Sequence, residues 1–208
     1  MKSKKVTIID YGMGNILSIQ NALRYIGIRS CITSDPEKIS KSNIIILPGV
    51  GSFKMAMKNI KSLNIDEAIK ITKRKGNFIF GICLGMQLLC LSSNEDGHTK
   101  GLGLIKLKVD RFKKSEVNNK KIPHVGFNKV FFEKNNKFYD GVKNNSDFYF
   151  VHSYRIKFDK VDKNFSISNY GINFLSSFNL ENIFGTQFHP EKSQNNGLKL
   201  LSNFVKIT

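Results

Sequence analysis

Tryptophan is absent from the 208 residues, proline occurs four times and cysteine only three times. Three cysteines, Cys31, Cys83 and Cys90, are odd in number and follow no disulfide or metal-ligand spacing, which points to a reducing compartment. No pair among the four histidines has zinc-ligand spacing, so neither a metal site nor another cofactor is expected. Long apolar runs are missing as well. None approaches the roughly 20 residues of a membrane span, and in MKSKKVTIID only Val6 to Ile9 precede Asp10, too few for a signal-peptide core. A cytoplasmic chain with no membrane segment is expected. Acidic residues are scarce, 16 against 33 Lys+Arg, giving a formal charge of +17.

That excess of cations makes nucleic-acid binding the first class to weigh. The lysines are scattered, Lys54, Lys58, Lys61, Lys70 and Lys73 among them, and fall between apolar positions as a solvated face does. No recognition-helix, RNA-binding or zinc-finger pattern accompanies them. With 40% hydrophobic and 11% aromatic residues, the composition is that of one globular domain with a sizeable core.

The first half alternates strand and helix patterns. KVTIID runs into a glycine turn, Ile16, Ile19, Leu23 and Ile26 follow at helical spacing, and IRSCIT reads as the next strand. NIIILPGVG is a buried-type strand entering a glycine loop, followed by two helical patterns, the second opened by Asn64 with Glu67 as a variant capping box. NFIFGI ends at Cys83, and a helix is expected over 84–92. This order predicts an α/β fold with a mostly parallel central sheet flanked by helices. From about residue 103 alternating strands take over, which adds antiparallel strands in the second half. Phe148, Phe150, His152, Tyr154, Ile156 and Phe158 share one face by the period of two. GLKLLSNFVKI closes the chain as a helix.

Gly81-Ile82-Cys83-Leu84-Gly85 has the form of a strand-to-helix nucleophile elbow, where small neighbours let backbone pack closely around a strained residue. A helix start favours a thiolate, and the Leu84 N–H would point toward an oxyanion. The plain alternative is a buried, inert cysteine, the reading that suits Cys90 and Cys31. A thiol nucleophile needs a base and a group to orient it. His98 lies in the polar loop NEDGHTKG, His124 follows Pro123, and His152 reads as a packed strand histidine. Only His189 has a carboxylate in fixed local relation, Glu191, across the stiff Pro190. Spacing alone does not bring Cys83 and His189 together.

GICLGMQLL with QFHPEKS resembles the class I glutamine amidotransferases, flavodoxin-like enzymes with a Cys-His-Glu triad. IIDYGMGN, LPGVGSF, IPHVGFN, FYFVHSY and GLKLLSNF narrow the resemblance to the glutaminase subunits of imidazole glycerol phosphate synthases, nearly end to end, as one amidotransferase domain over 1–208. The resemblance implies that Cys83 attacks glutamine, His189 moves the proton and Glu191 orients His189. It places Val50, Gly51 and Leu84 at the oxyanion hole, Gln87, Tyr149 and Ser153 around glutamine, and Asn15 and Lys192 toward a partner. That partner is a (β/α)8-barrel synthase, in a heterodimer that uses the ammonia for histidine biosynthesis. Paralogous subunits that supply ammonia for surface-sugar modification remain as the alternative. Phe127 stands where the family usually has tryptophan, and Thr186 where valine is common.

Overall fold

A computed structural model describes residues 4–208. In chain order the elements are β1 (Lys5–Ile9), α1 (Ile16–Tyr25), β2 (Arg29–Thr33), α2 (Pro36–Ser40), β3 (Ile44–Leu47), α3 (Phe53–Ser62), α4 (Ile65–Arg74), β4 (Phe78–Ile82) and α5 (Leu84–Leu88). The second half holds β5 (Cys90–Ser93), β6 (Thr99–Lys100), β7 (Ile105–Arg111), β8 (His124–Val130), β9 (Ser146–His152), β10 (Tyr154–Arg155), β11 (Phe165–Asn169), β12 (Asn173–Leu180), β13 (Ile183–Thr186) and α6 (Gln194–Ile207).

Seven strands form the central sheet in the order β11-β12-β13-β4-β3-β1-β2. The five from β13 to β2 run parallel, and β12 and β11 extend one edge antiparallel. Buried parallel strands carry continuous apolar runs because both faces are covered. In β3, Ile44 and Ile46 enter one core cluster while Ile45 and Leu47 enter the other, as the two-residue period requires. The first cluster lies under α1 and α6 and includes Phe148, Phe150 and Phe174; the second lies under α3, α4 and α5. A four-stranded sheet (β10-β7-β5-β6) and the β8–β9 pair flank the central one. The expected mostly parallel sheet with helices is therefore present. Among the described residues no helix is long and apolar enough to cross a membrane.

Three local expectations are corrected. The helix expected over 84–92 stops at Leu88, and Cys90–Ser93 pairs as a strand with β7, so Cys90 sits in a sheet. Asn64 has φ 55° and makes no side-chain cap, because it turns the chain between two abutting helices and leaves no capping box. The face shared by Phe148, Phe150 and His152 does not continue: β9 ends at His152 and Ser153 breaks the strand. Tyr154, Ile156 and Phe158 then pack with the opposite cluster. Ser153 is thus a crossover between layers, which strict alternation cannot reveal.

Candidate active site

Ligand sites of open α/β sheets lie beyond the carboxyl ends of the strands. Here β3 leads into Pro48-Gly49-Val50-Gly51, β4 into Cys83, and β13 into Gln187-Phe188-His189, so neighbouring parallel strands deliver all three segments to one end of the sheet. Cys83 takes φ 54° and ψ −110°, a conformation that costs a side-chain-bearing residue about 1–3 kcal/mol. Its flanking glycines make room for that bend. A Cβ on Gly85 would stand 1.8 Å from the Leu47 carbonyl oxygen, and one on Gly81 would stand 2.7 Å from the Met86 backbone. The Cys83 N–H donates to the Thr186 carbonyl at 2.7 Å, which ties the elbow to the strand leading to His189.

His189 and Glu191 meet as the sequence expects: Nδ1 lies 2.8 Å from Oε1, and both side chains are buried. The turn is fastened by the His189 N–H donating to the Tyr149 carbonyl at 2.9 Å and by the Ser193 hydroxyl donating to the His189 carbonyl at 2.6 Å. His189 Nε2 is buried without an aligned partner among the described residues, and the Cys83 sulfur acts on it electrostatically. Burial works to lower the imidazole pKa, but the negative sulfur and the Glu191 carboxylate outweigh it and raise it to about 10. The contacts of His189 therefore favour its imidazolium form.

Around the sulfur is a cavity of about 370 Å³, lined by Val50, Gly51, Leu84, Gln87 and Ser153 together with Cys83, and by Glu95 and Tyr154, which sequence reasoning missed. Its size suits a small ligand. Glu95 lies in the polar loop after β5, where nothing in NEDGHTKG marks it. Its Oε2 accepts the Phe53 N–H at 2.7 Å, and burial raises its pKa. Tyr149 does not line the cavity. Its ring packs on Phe127 at 5.5 Å, with Lys192 Nζ 5.8 Å from the ring centroid, and it serves His189 through its backbone. Asn15 stands at the start of α1 without a side-chain cap, and α1 packs beside the turn that carries Lys192. The cavity is also lined by His152, which is buried and bonded to His124 at 3.0 Å and to the Tyr154 carbonyl at 2.8 Å. Burial foremost holds both histidines neutral, at about 4 for His124 and about 3 for His152. Cys90 is buried too, and that burial pushes its thiol up.

A larger cavity, about 1500 Å³, adjoins the first and shares Pro123 with it. Seven cationic side chains and two carboxylates line it, so part of the net charge collects there, away from the sulfur. Among the described residues no group of three or more His, Cys, Asp or Glu is placed to hold a metal ion.

A strained cysteine at a strand-to-helix elbow, with an imidazole and carboxylate behind it, defines the thiol-nucleophile class of α/β enzymes. The chain belongs to the class-I glutamine amidotransferase family, whose model matches residues 7–207. It is 46% identical over 208 residues to imidazole glycerol phosphate synthase subunit HisH 1 of Parasynechococcus marenigrum, covering 98% of both chains. It is 47% identical over 203 residues to subunit HisH 2 of Methanococcus maripaludis, covering 97% of this chain and 98% of that one. Its fold is similar to PurLQS from Thermotoga maritima, with a TM-score of 0.72 at 17% identity over 99% of each chain.

Proposed function

We propose that this chain is the glutaminase subunit of an imidazole glycerol phosphate synthase, a single amidotransferase domain over 1–208 acting in the cytoplasm. Glutamine enters the Cys83 cavity, where the Glu95 carboxylate offers a counter-charge for its α-ammonium group. Cys83 attacks the side-chain amide carbon. His189 protonates the departing ammonia, Glu191 holding its ring in place, and water then hydrolyses the thioester to glutamate. The N–H groups of Leu84 and of the Val50-Gly51 loop stabilise the oxyanion, each such donor contributing about 3–4 kcal/mol. Ammonia passes to a (β/α)8-barrel synthase bound as a heterodimer, with Asn15 and Lys192 on the docking side. The observation that carries this reading is the buried His189–Glu191 pair behind the Cys83 elbow, in a chain with 46% identity to a HisH subunit.

The test mixes this chain with the synthase subunit of histidine biosynthesis and measures glutamate release and complex formation. Co-elution with glutamine-dependent product supports the reading. Glutamate release only with a surface-sugar partner would assign the chain to that paralogous pathway instead.

A further inference from the structure

Gln187 is fully buried, and its side-chain Nε2 lies 3.7 Å from Cys83 Sγ. Neighbouring groups fix which end of its amide faces the sulfur. The Tyr154 carbonyl can only accept, so the Gln87 atom 3.0 Å from it is the nitrogen Nε2. That nitrogen uses its second hydrogen on Gln187 at 2.8 Å, so the Gln187 atom it meets is the oxygen Oε1. The end left for Cys83 is the NH₂ group, which donates and does not accept. The Tyr154 carbonyl is held from its other side by His152 Nδ1 at 2.8 Å. His152 Nε2 in turn accepts from His124 Nδ1 at 3.0 Å, and His124 Nε2 from Asn128 Nδ2 at 3.3 Å. Each tautomer in this chain is set by the next group along.

We propose that Gln187 is a catalytic residue, whose amide donates a hydrogen bond to the Cys83 sulfur and stabilises it as a thiolate when it attacks and when it leaves. The chemistry rests on the glutaminase reading. In acylation the sulfur lone pair forms the C–S bond, and the collapsing intermediate expels ammonia with a proton from His189. In deacylation water adds to the thioester carbon, His189 takes the proton from that water, and the C–S bond breaks with both electrons going to sulfur. The Gln187 N–H lowers the energy of that electron pair at both stages and transfers no proton itself. The contact of the Cys83 thiol with the Val151 carbonyl, 3.9 Å away, serves only the protonated form, so the two neighbours favour opposite states of the sulfur. Gln87, with both amide hydrogens engaged, acts as the strut that aims Gln187.

The experiment compares the protein with Gln187→Leu, similar in volume without a donor, and Gln187→Glu, similar in shape with a carboxyl in place of the amide. The rate of Cys83 alkylation by iodoacetamide, followed by peptide mapping across pH, reports the thiolate without any need for glutamine turnover. In the folded Leu variant the acid limb should move up by about one pH unit, and kcat for glutamine should fall about ten- to a hundredfold with KM less affected. An unchanged alkylation profile in a folded variant would overturn the proposal. Should neither variant fold, the Gln187 side-chain amide resonance in the unsubstituted protein should titrate with the Cys83 alkylation profile and shift in Cys83→Ala. A resonance indifferent to both would also overturn it. If the unsubstituted protein failed to hydrolyse glutamine while the alkylation profile still moved with Gln187, the glutaminase reading would fall and the role of Gln187 toward the sulfur would stand.

Discussion

Glu191 Oε1 lies 2.8 Å from His189 Nδ1, with its side chain wholly shielded from water and its other oxygen without a hydrogen-bond partner among the described residues. A buried carboxylate in that state has one strong use, to hold the imidazole tautomer and stabilise the imidazolium. Glu191→Gln keeps the shape and removes the charge. Steady-state kinetics should show glutamine kcat lowered by about 10²- to 10⁴-fold with KM little changed. Unchanged turnover would take Glu191 out of the mechanism.

The elbow itself is a second target. With the Leu47 carbonyl oxygen only 1.8 Å from where an alanine Cβ would stand, Gly85→Ala forces backbone apart at the start of α5. Thermal unfolding should show a loss of about 3 kcal/mol or more, beyond ordinary overpacking because the clash is with main chain. Labelling of Cys83 should fall with it. A stable, fully reactive Ala variant would mean that the glycine is incidental.

A glutamine-shaped electrophile such as a diazo ketone should modify Cys83 ahead of Cys31 and Cys90. Cys83 opens on the 370 Å³ cavity, whereas burial raises the Cys90 thiol pKa and Cys31 lies in β2, outside that cavity. Peptide mapping that found equal label on Cys90 would contradict the assignment.

The His124–His152 pair sets an acid limit. Their folded pKa values, about 4 and about 3, lie below the ordinary 6.5. The unfolded chain therefore binds more protons between those values, so this stability is present above about pH 6.5 and is lost as pH falls toward 4. Melting temperature should drop across that window, and the drop should be shallower in His152→Gln. Parallel curves for the two proteins would remove the pair from the acid response.

β3 and β4 were legible because Ile44–Leu47 and Phe78–Ile82 are short apolar runs that lead into glycine-containing turns, whereas β1 and β2 carry Lys5, Thr7, Arg29, Ser30 and Thr33 among their apolar residues. Gly-x-Cys-x-Gly marks the elbow in the sequence itself. Cys90 shows where the reading failed. Leu88, Leu89 and Leu91 around it suit helix and strand equally, and only pairing with β7 decides between them. Glu95 and Gln187 escaped because their roles depend on contacts far along the chain, with the Phe53 N–H and with the Cys83 sulfur. Tyr149, which the resemblance places around glutamine, packs its ring on Phe127.

Labour in the proposed complex is divided: this chain makes ammonia and its partner builds the product. The direct measurement is product formation by the reconstituted heterodimer carrying Cys83→Ser, first with glutamine and then with ammonium salt at alkaline pH. Serine at its ordinary pKa is too weak a nucleophile for a site arranged around a thiolate. Synthesis from glutamine should be lost and synthesis from ammonium retained. Loss with both nitrogen sources in an assembled complex would place Cys83 in the synthesis step, and the chain would not be an ammonia donor.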